Sequence, residues 1–95
     1  MKKKPEGEQV EFLRSLVEHC VLSIVEREEE VRIEQDVTPA RVVFSVFVAS
    51  TDIGLILGND GATADAVRRI VWTACKKTKY RCDIDIVTDR PARRA

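Results

Sequence analysis

The stretch Ile53-Gly54-Leu55-Ile56-Leu57-Gly58-Asn59-Asp60-Gly61 constrains this chain more than any other part of it. Its apolar run makes only a short helix before Gly58 stops it, and a longer helical pattern opens just after Gly61. Glycine has no Cβ, so a loop with glycine at both ends turns sharply and lets a ligand's backbone come close. The second helix starts with N–H groups that no preceding turn satisfies, which makes its first turn a seat for an anion. A sugar–phosphate strand fits such a seat, with unstacked bases against the apolar residues beside it. Gly-x-x-Gly alone is a weak signal; preceded by Ile53-Gly54 and set between two helices that are flanked by strands, it is a strong one.

The flanking elements follow from periodicity. From about Gln9, the apolar positions Val10, Leu13, Val17, Cys20, Val21, Ile24 and Val25 recur at three and four, one face of a helix. The run Glu26-Arg27-Glu28-Glu29-Glu30 ends it as a solvated corner. A strand is predicted from Glu30 to Val37, and Thr38-Pro39-Ala40 is the turn after it, because proline fixes φ and offers the ladder no donor. Arg41 to Ala49 is the clearest strand, with Val42, Phe44, Val46 and Val48 on the face that meets the helices and Val43 and Phe47 on the other. Ser50-Thr51-Asp52 supplies caps for the short helix Ile53 to Leu57. The longer helix runs from about Ala62 to Lys77, with Val67, Ile70, Val71 and Ala74 inward, and Tyr80 to Val87 closes as a third strand. Residues 1–8 read as a disordered lead-in, 9–87 as the folded domain and 88–95 as a loose basic tail with Arg90, Arg93 and Arg94.

This pattern resembles the small bacterial KH-domain RNA-binding proteins of the KhpA type, from about Leu16 to Val87. The residues that carry the likeness are Glu29-Glu30-Val31, Val48-Ala49, Asp52-Ile53-Gly54, Gly58-x-x-Gly61, Thr63-Ala64-x-Ala66-Val67-Arg68 and Arg81. The resemblance implies an α+β fold, the type II KH domain, in the order α-β-β-α-α-β, with a three-stranded sheet and the helices packed on one face. It also implies a loop that clamps about four nucleotides of single-stranded RNA. The backbone clamp would be Gly58, Asn59, Asp60 and Gly61, the apolar wall Ile53, Gly54, Ile56 and Leu57, and Arg68 would assist from the helix. A second copy or a larger KH-containing protein is the partner that the resemblance implies.

The chain departs from that family where the ligand would sit. Leu55, Asn59, Ala62 and Asp65 stand where relatives usually carry lysine or arginine, and the loop's third residue is Asp60. Asp52, Asp60 and Asp65 face no basic residue between positions 50 and 67, so the surroundings of the loop read as acidic. Asp60 is placed to cap the following helix and so to occupy the phosphate seat. Two negative charges about 5 Å apart repel by roughly 1–3 kcal/mol, and each missing cation removes counterion release. Two functions therefore fit: RNA binding through a weakened loop, as a small chaperone-like protein, or a KH fold repurposed for dimerisation or partner binding. Val43 and Phe47, on the face opposite the helices, and Trp72, in line with Arg68 and Lys76, are the interface candidates for the second.

Composition narrows the remaining classes. Sixteen basic and sixteen acidic residues cancel, so any polyanion site is local. Met1-Lys2-Lys3-Lys4 is followed by Pro5-Glu6-Gly7-Glu8-Gln9, not by the apolar run of a secretion signal, and no stretch reaches the roughly 20 apolar residues of a membrane span. The three cysteines, Cys20, Cys75 and Cys82, form no Cys-x-x-Cys pair, which argues against a disulfide framework or a zinc site and for reduced, core-packed thiols in the cytoplasm. His19 is the single histidine, on the polar side of its helix, and no constellation for catalysis, cofactor, metal or small-molecule substrate emerges.

Overall fold

The expected order of elements holds across residues 6–88, which the computed structural model describes: α1 (Glu6–Ile24), β1 (Arg32–Val37), β2 (Arg41–Phe47), α2 (Ile53–Leu57), α3 (Ala62–Cys75) and β3 (Arg81–Ile86). Short 3₁₀ turns occupy Glu28–Glu30, Ser50–Asp52 and Asn59–Gly61. The sheet order is β1-β2-β3, with β1 antiparallel to β2 and β2 parallel to β3. Parallel neighbours need a crossover, and α2, the loop and α3 are that crossover. The type II arrangement is therefore in place, and its geometry puts the loop between two helices tied to adjacent strands.

The core follows the alternation of β2. Val42, Phe44, Val46 and Val48 have no exposed surface, and Ile33, Cys82, Ile84 and Ile86 extend the same face across the sheet. Val10, Leu13, Val17 and Val21 of α1 and Ala64, Val67, Val71 and Cys75 of α3 cover it. One inward assignment fails. Ile70 is 49% exposed, because it lies about 100° around the helix from Val71, outside the stripe that positions 64, 67, 71 and 75 define.

The domain is closed at the end where α1 begins. The helix starts at Glu6, before the expected boundary, and Gln9 is buried with its Oε1 accepting from the Lys79 N–H at 2.8 Å. Residues 6–8 thus belong to α1; the rest of the expected lead-in, 1–5, and most of the basic tail, 89–95, lie outside the described residues. The long helix ends at Cys75, not Lys77, because Thr78 builds a turn there. Its hydroxyl donates to the Cys75 carbonyl at 2.8 Å and accepts from the Tyr80 N–H at 3.1 Å.

That turn brings Cys75 and Cys82 together as a disulfide, with 6.5 Å between their Cα atoms. The expectation of unpaired, reduced thiols is corrected for these two: spacing in sequence gave no sign of the pair, because it is the reversal at Thr78 that makes it. Cys20 is left as the free thiol among the described residues, and burial pushes its pKa up.

Candidate nucleic-acid interface

The loop is built by backbone conformations that glycine permits. Gly58 closes α2 by donating its N–H to the Gly54 carbonyl at 2.9 Å, and then takes φ 76° and ψ −178°. A Cβ there would come within 2.2 Å of Thr63 Oγ1 and 2.6 Å of the Thr63 backbone nitrogen. Asp60 (φ 55°) and Gly61 (φ 79°) follow in left-handed conformations and swing the chain into α3. Aspartate is among the few side chains that visit this region routinely.

Asp60 does not cap α3, contrary to expectation. The N-cap position belongs to Gly61, which has no side chain to offer, and no side-chain cap hydrogen bond is made there. No side chain therefore caps the first turn of α3, but that turn carries Asp65 and its Ala62 N–H already donates to the Asn59 carbonyl, with Asp60 exposed nearby. Asp52 departs from expectation as well. It is 1% exposed, and its Oδ2 accepts from the N–H groups of Glu26 (3.2 Å) and Arg27 (2.9 Å), so it caps no helix and adds nothing to the surface around the loop. It ties the corner after α1 to the start of α2. The acidity at the loop reduces to Asp60 and Asp65, and Asp65 is engaged by Arg68 at 3.4 Å.

The expected apolar wall divides. Ile53 and Leu57 are half-buried and Gly54 is exposed, but Ile56 has no exposed surface and is a core residue. In a one-and-a-half-turn helix, one of the apolar residues must hold the helix down, and the role falls to Ile56. Leu55, next to it, is 44% exposed. A Cβ on Gly54 would meet nothing within 4 Å.

Along α3, Arg68 and Trp72 lie against the outer edge of β3. Arg68 Nε donates to the Ile84 carbonyl at 3.2 Å and Trp72 Nε1 to the Cys82 carbonyl at 3.0 Å. Both take up carbonyls of a strand that, among the described residues, is the edge of the sheet. Half of Trp72 remains exposed. Val43 and Phe47 are each half-buried, and the Arg32 guanidinium sits 5.3 Å from the centre of the Phe47 ring. The outward neighbours of these two are Arg32, Asp36 and Asp83, so that face is charged as much as it is apolar. A feature that sequence reasoning missed lies at the far end of α3, where Arg41 and Arg81 pair across β2 and β3 beside Trp72 and Lys76. The cluster of lysines was visible in the sequence; the contribution of Arg41, 40 positions before Arg81, depended on the register.

Among the described residues, no group of three His, Cys, Asp or Glu side chains is placed to hold a metal ion, and no helix is long and apolar enough to cross a membrane.

Residues 14–86 match the family model described as KhpA/KhpB, KH domain. The chain is similar to the RNA-binding protein KhpA of Halalkalibacterium halodurans, with 31% identity over 79% of this chain and 99% of the relative. It is similar to the KhpA proteins of Borreliella burgdorferi (29% identity, 88% of this chain and 98% of the relative) and Bacillus subtilis (25%, 80% and 94%). No solved structure matches the chain.

Proposed function

Because this chain belongs to the KhpA/KhpB KH-domain family, we propose that it binds single-stranded RNA through the Gly58–Gly61 loop, as a small cytoplasmic RNA-binding protein of chaperone-like character with no reaction of its own. The relatives that it resembles carry the name RNA-binding protein. The observation that carries the reading to this loop is the bare glycine at position 54. Glycine in a helix costs about 1 kcal/mol relative to alanine, and packing does not ask for it, since a Cβ there would meet open space. An approaching backbone gives it a reason. Ile53, Gly54, Leu57 and the exposed Leu55 would then line the strand's path, and the uncapped first turn of α3 would receive a phosphate.

The loop binds weakly in this reading, because Asp60 supplies charge of the wrong sign. Anisotropy of a short labelled single-stranded RNA, at low and moderate salt, tests it against an Asn59→Lys/Asp60→Lys variant. Expected is measurable binding by the natural chain and about tenfold tighter binding by the variant, from two added phosphate contacts. A natural chain that binds no RNA, beside a variant that does, would move the function to protein partnership. That second reading draws on Val43 and Phe47 and on the pairing that the family likeness implied. It has less support than the first: the cation over Phe47 and the acids beside Val43 already occupy that face.

A further inference from the structure

The chain's zero net charge conceals a strong segregation along α3. From residue 66 to residue 82 there is no acidic side chain, while Arg68, Arg69, Lys76, Lys77, Lys79 and Arg81 supply six cations. Where α3 gives way to β3, an open depression of about 640 Å³ wraps the outer edge of β3, lined by Arg41, Trp72, Lys76, Arg81 and Asp83 over a floor that includes Cys75 and Cys82. The parallel register sets Arg41 directly beside Arg81, and like charges at paired positions destabilise a sheet. Asp83 offsets Arg41 by accepting from its Nε at 2.8 Å. Lys76 and Arg81 pair with no carboxylate among the described residues. Both cations are therefore free to hold an anion.

The depression is also in line with the loop. Arg68, Trp72 and Lys76 form an i, i+4, i+8 row on α3, and the first two are fixed along the β3 edge by their carbonyl hydrogen bonds. Trp72 lies about 16 Å along the helix axis from Gly61 and Lys76 about 22 Å. An indole held at its nitrogen, with half of its surface open, is a rigid platform for a flat apolar ring. We propose that this depression is a second subsite for the same RNA strand: a base beyond the loop stacks on Trp72 and the two adjoining phosphates are held, one each, by Lys76 and Arg81. The site rests on the RNA reading above and moves much of the grip away from the poorly charged loop.

Trp72 is the chain's only tryptophan, so its fluorescence reports the subsite directly. The natural chain is titrated with RNA of about four nucleotides, the reach of the loop, and of about ten, with anisotropy and Trp72 emission followed together. The longer RNA is expected to bind about tenfold tighter and to quench Trp72, whereas the shorter one leaves the emission unchanged. Lys76→Glu/Arg81→Glu, at two exposed positions that leave the core intact, is expected to bring the longer RNA down to the affinity of the shorter. It should also flatten the salt slope by about 1.4, or 0.7 for each lost phosphate contact. Trp72→Phe should cost affinity for the longer RNA only. Equal affinities for both lengths, or binding of the longer RNA without any change at Trp72, would overturn the subsite and leave the loop reading standing. If neither RNA binds, both fall; and emission that changes with protein concentration alone would make the depression a contact between copies, which also overturns the proposal.

Discussion

At the scale of single residues, the glycines divide by what their missing side chain does. Gly58 is required by the fold: its positive φ and its contact with Thr63 exclude a Cβ whatever the ligand. Gly54 is not, and the difference is measurable. Gly54→Ala is expected to raise stability by about 0.5–1 kcal/mol, since alanine is the better helix former and meets no neighbour. The same change is expected to weaken RNA binding severalfold, because in the proposed binding mode the methyl group would stand where the strand's backbone comes near. Thermal melts and RNA titrations of the one variant read both signs. A variant that is more stable and binds as well as the natural chain would remove Gly54 from the interface. Asp52 marks the opposite case. In the sequence it looked like a cap and a surface charge, whereas its carboxylate is buried and bound to two backbone N–H groups some 25 positions earlier. Local sequence carries no trace of such a contact, since the donors are main-chain groups that any residue would supply.

At the scale of elements, what could be read from the sequence was whatever repeats. The period of two in β2 and the three-and-four spacing of α1 identify their inward faces, because burial on one side of a regular element forces that pattern. Ends and edges were not legible to the same degree. Ile70 satisfies the apolar spacing yet faces outward, and the Thr78 turn that ends α3 early depends on a hydroxyl reaching both Cys75 and Tyr80. The loop's glycines were visible in the sequence, but that Gly61 would take the cap position from Asp60 depended on backbone conformation. The disulfide belongs to this same turn and joins the end of α3 to β3 across seven positions. Closing so short a loop is worth about 2 kcal/mol in the chain-entropy account, or about 10 °C in melting midpoint for a domain of this size. Adding a reductant is therefore expected to lower the midpoint by that amount; a midpoint that ignores the reductant would mean that Thr78 alone secures the turn. In a reducing compartment the bond opens.

At the scale of the whole molecule, the balance of sixteen cations and sixteen anions sets how this chain can bind a polyanion. The net charge gives RNA no overall attraction from a distance, so attraction depends on local clusters such as the six cations between residues 66 and 82. In the proposed binding mode Lys76 and Arg81 neutralise two phosphates, and the main-chain seat at the loop adds no cation. Each neutralised phosphate releases counterions to the extent of about 0.7 in the logarithmic salt slope. A slope near −1.4 follows, which means a loss of about sevenfold between about 50 and about 200 mM salt, against the thousandfold or more expected of a strongly basic binder. Arg90, Arg93 and Arg94 provide an independent check, since the sequence puts three further cations beyond β3. If those arginines hold RNA as well, the slope steepens to about −3.5 and returns toward about −1.4 when all three are replaced by serine. A slope near −1.4 in both proteins would restrict the electrostatic contact to the folded domain. A slope of zero in the natural chain would mean that no phosphate is contacted, leaving stacking on Trp72 and the apolar wall as the only grip.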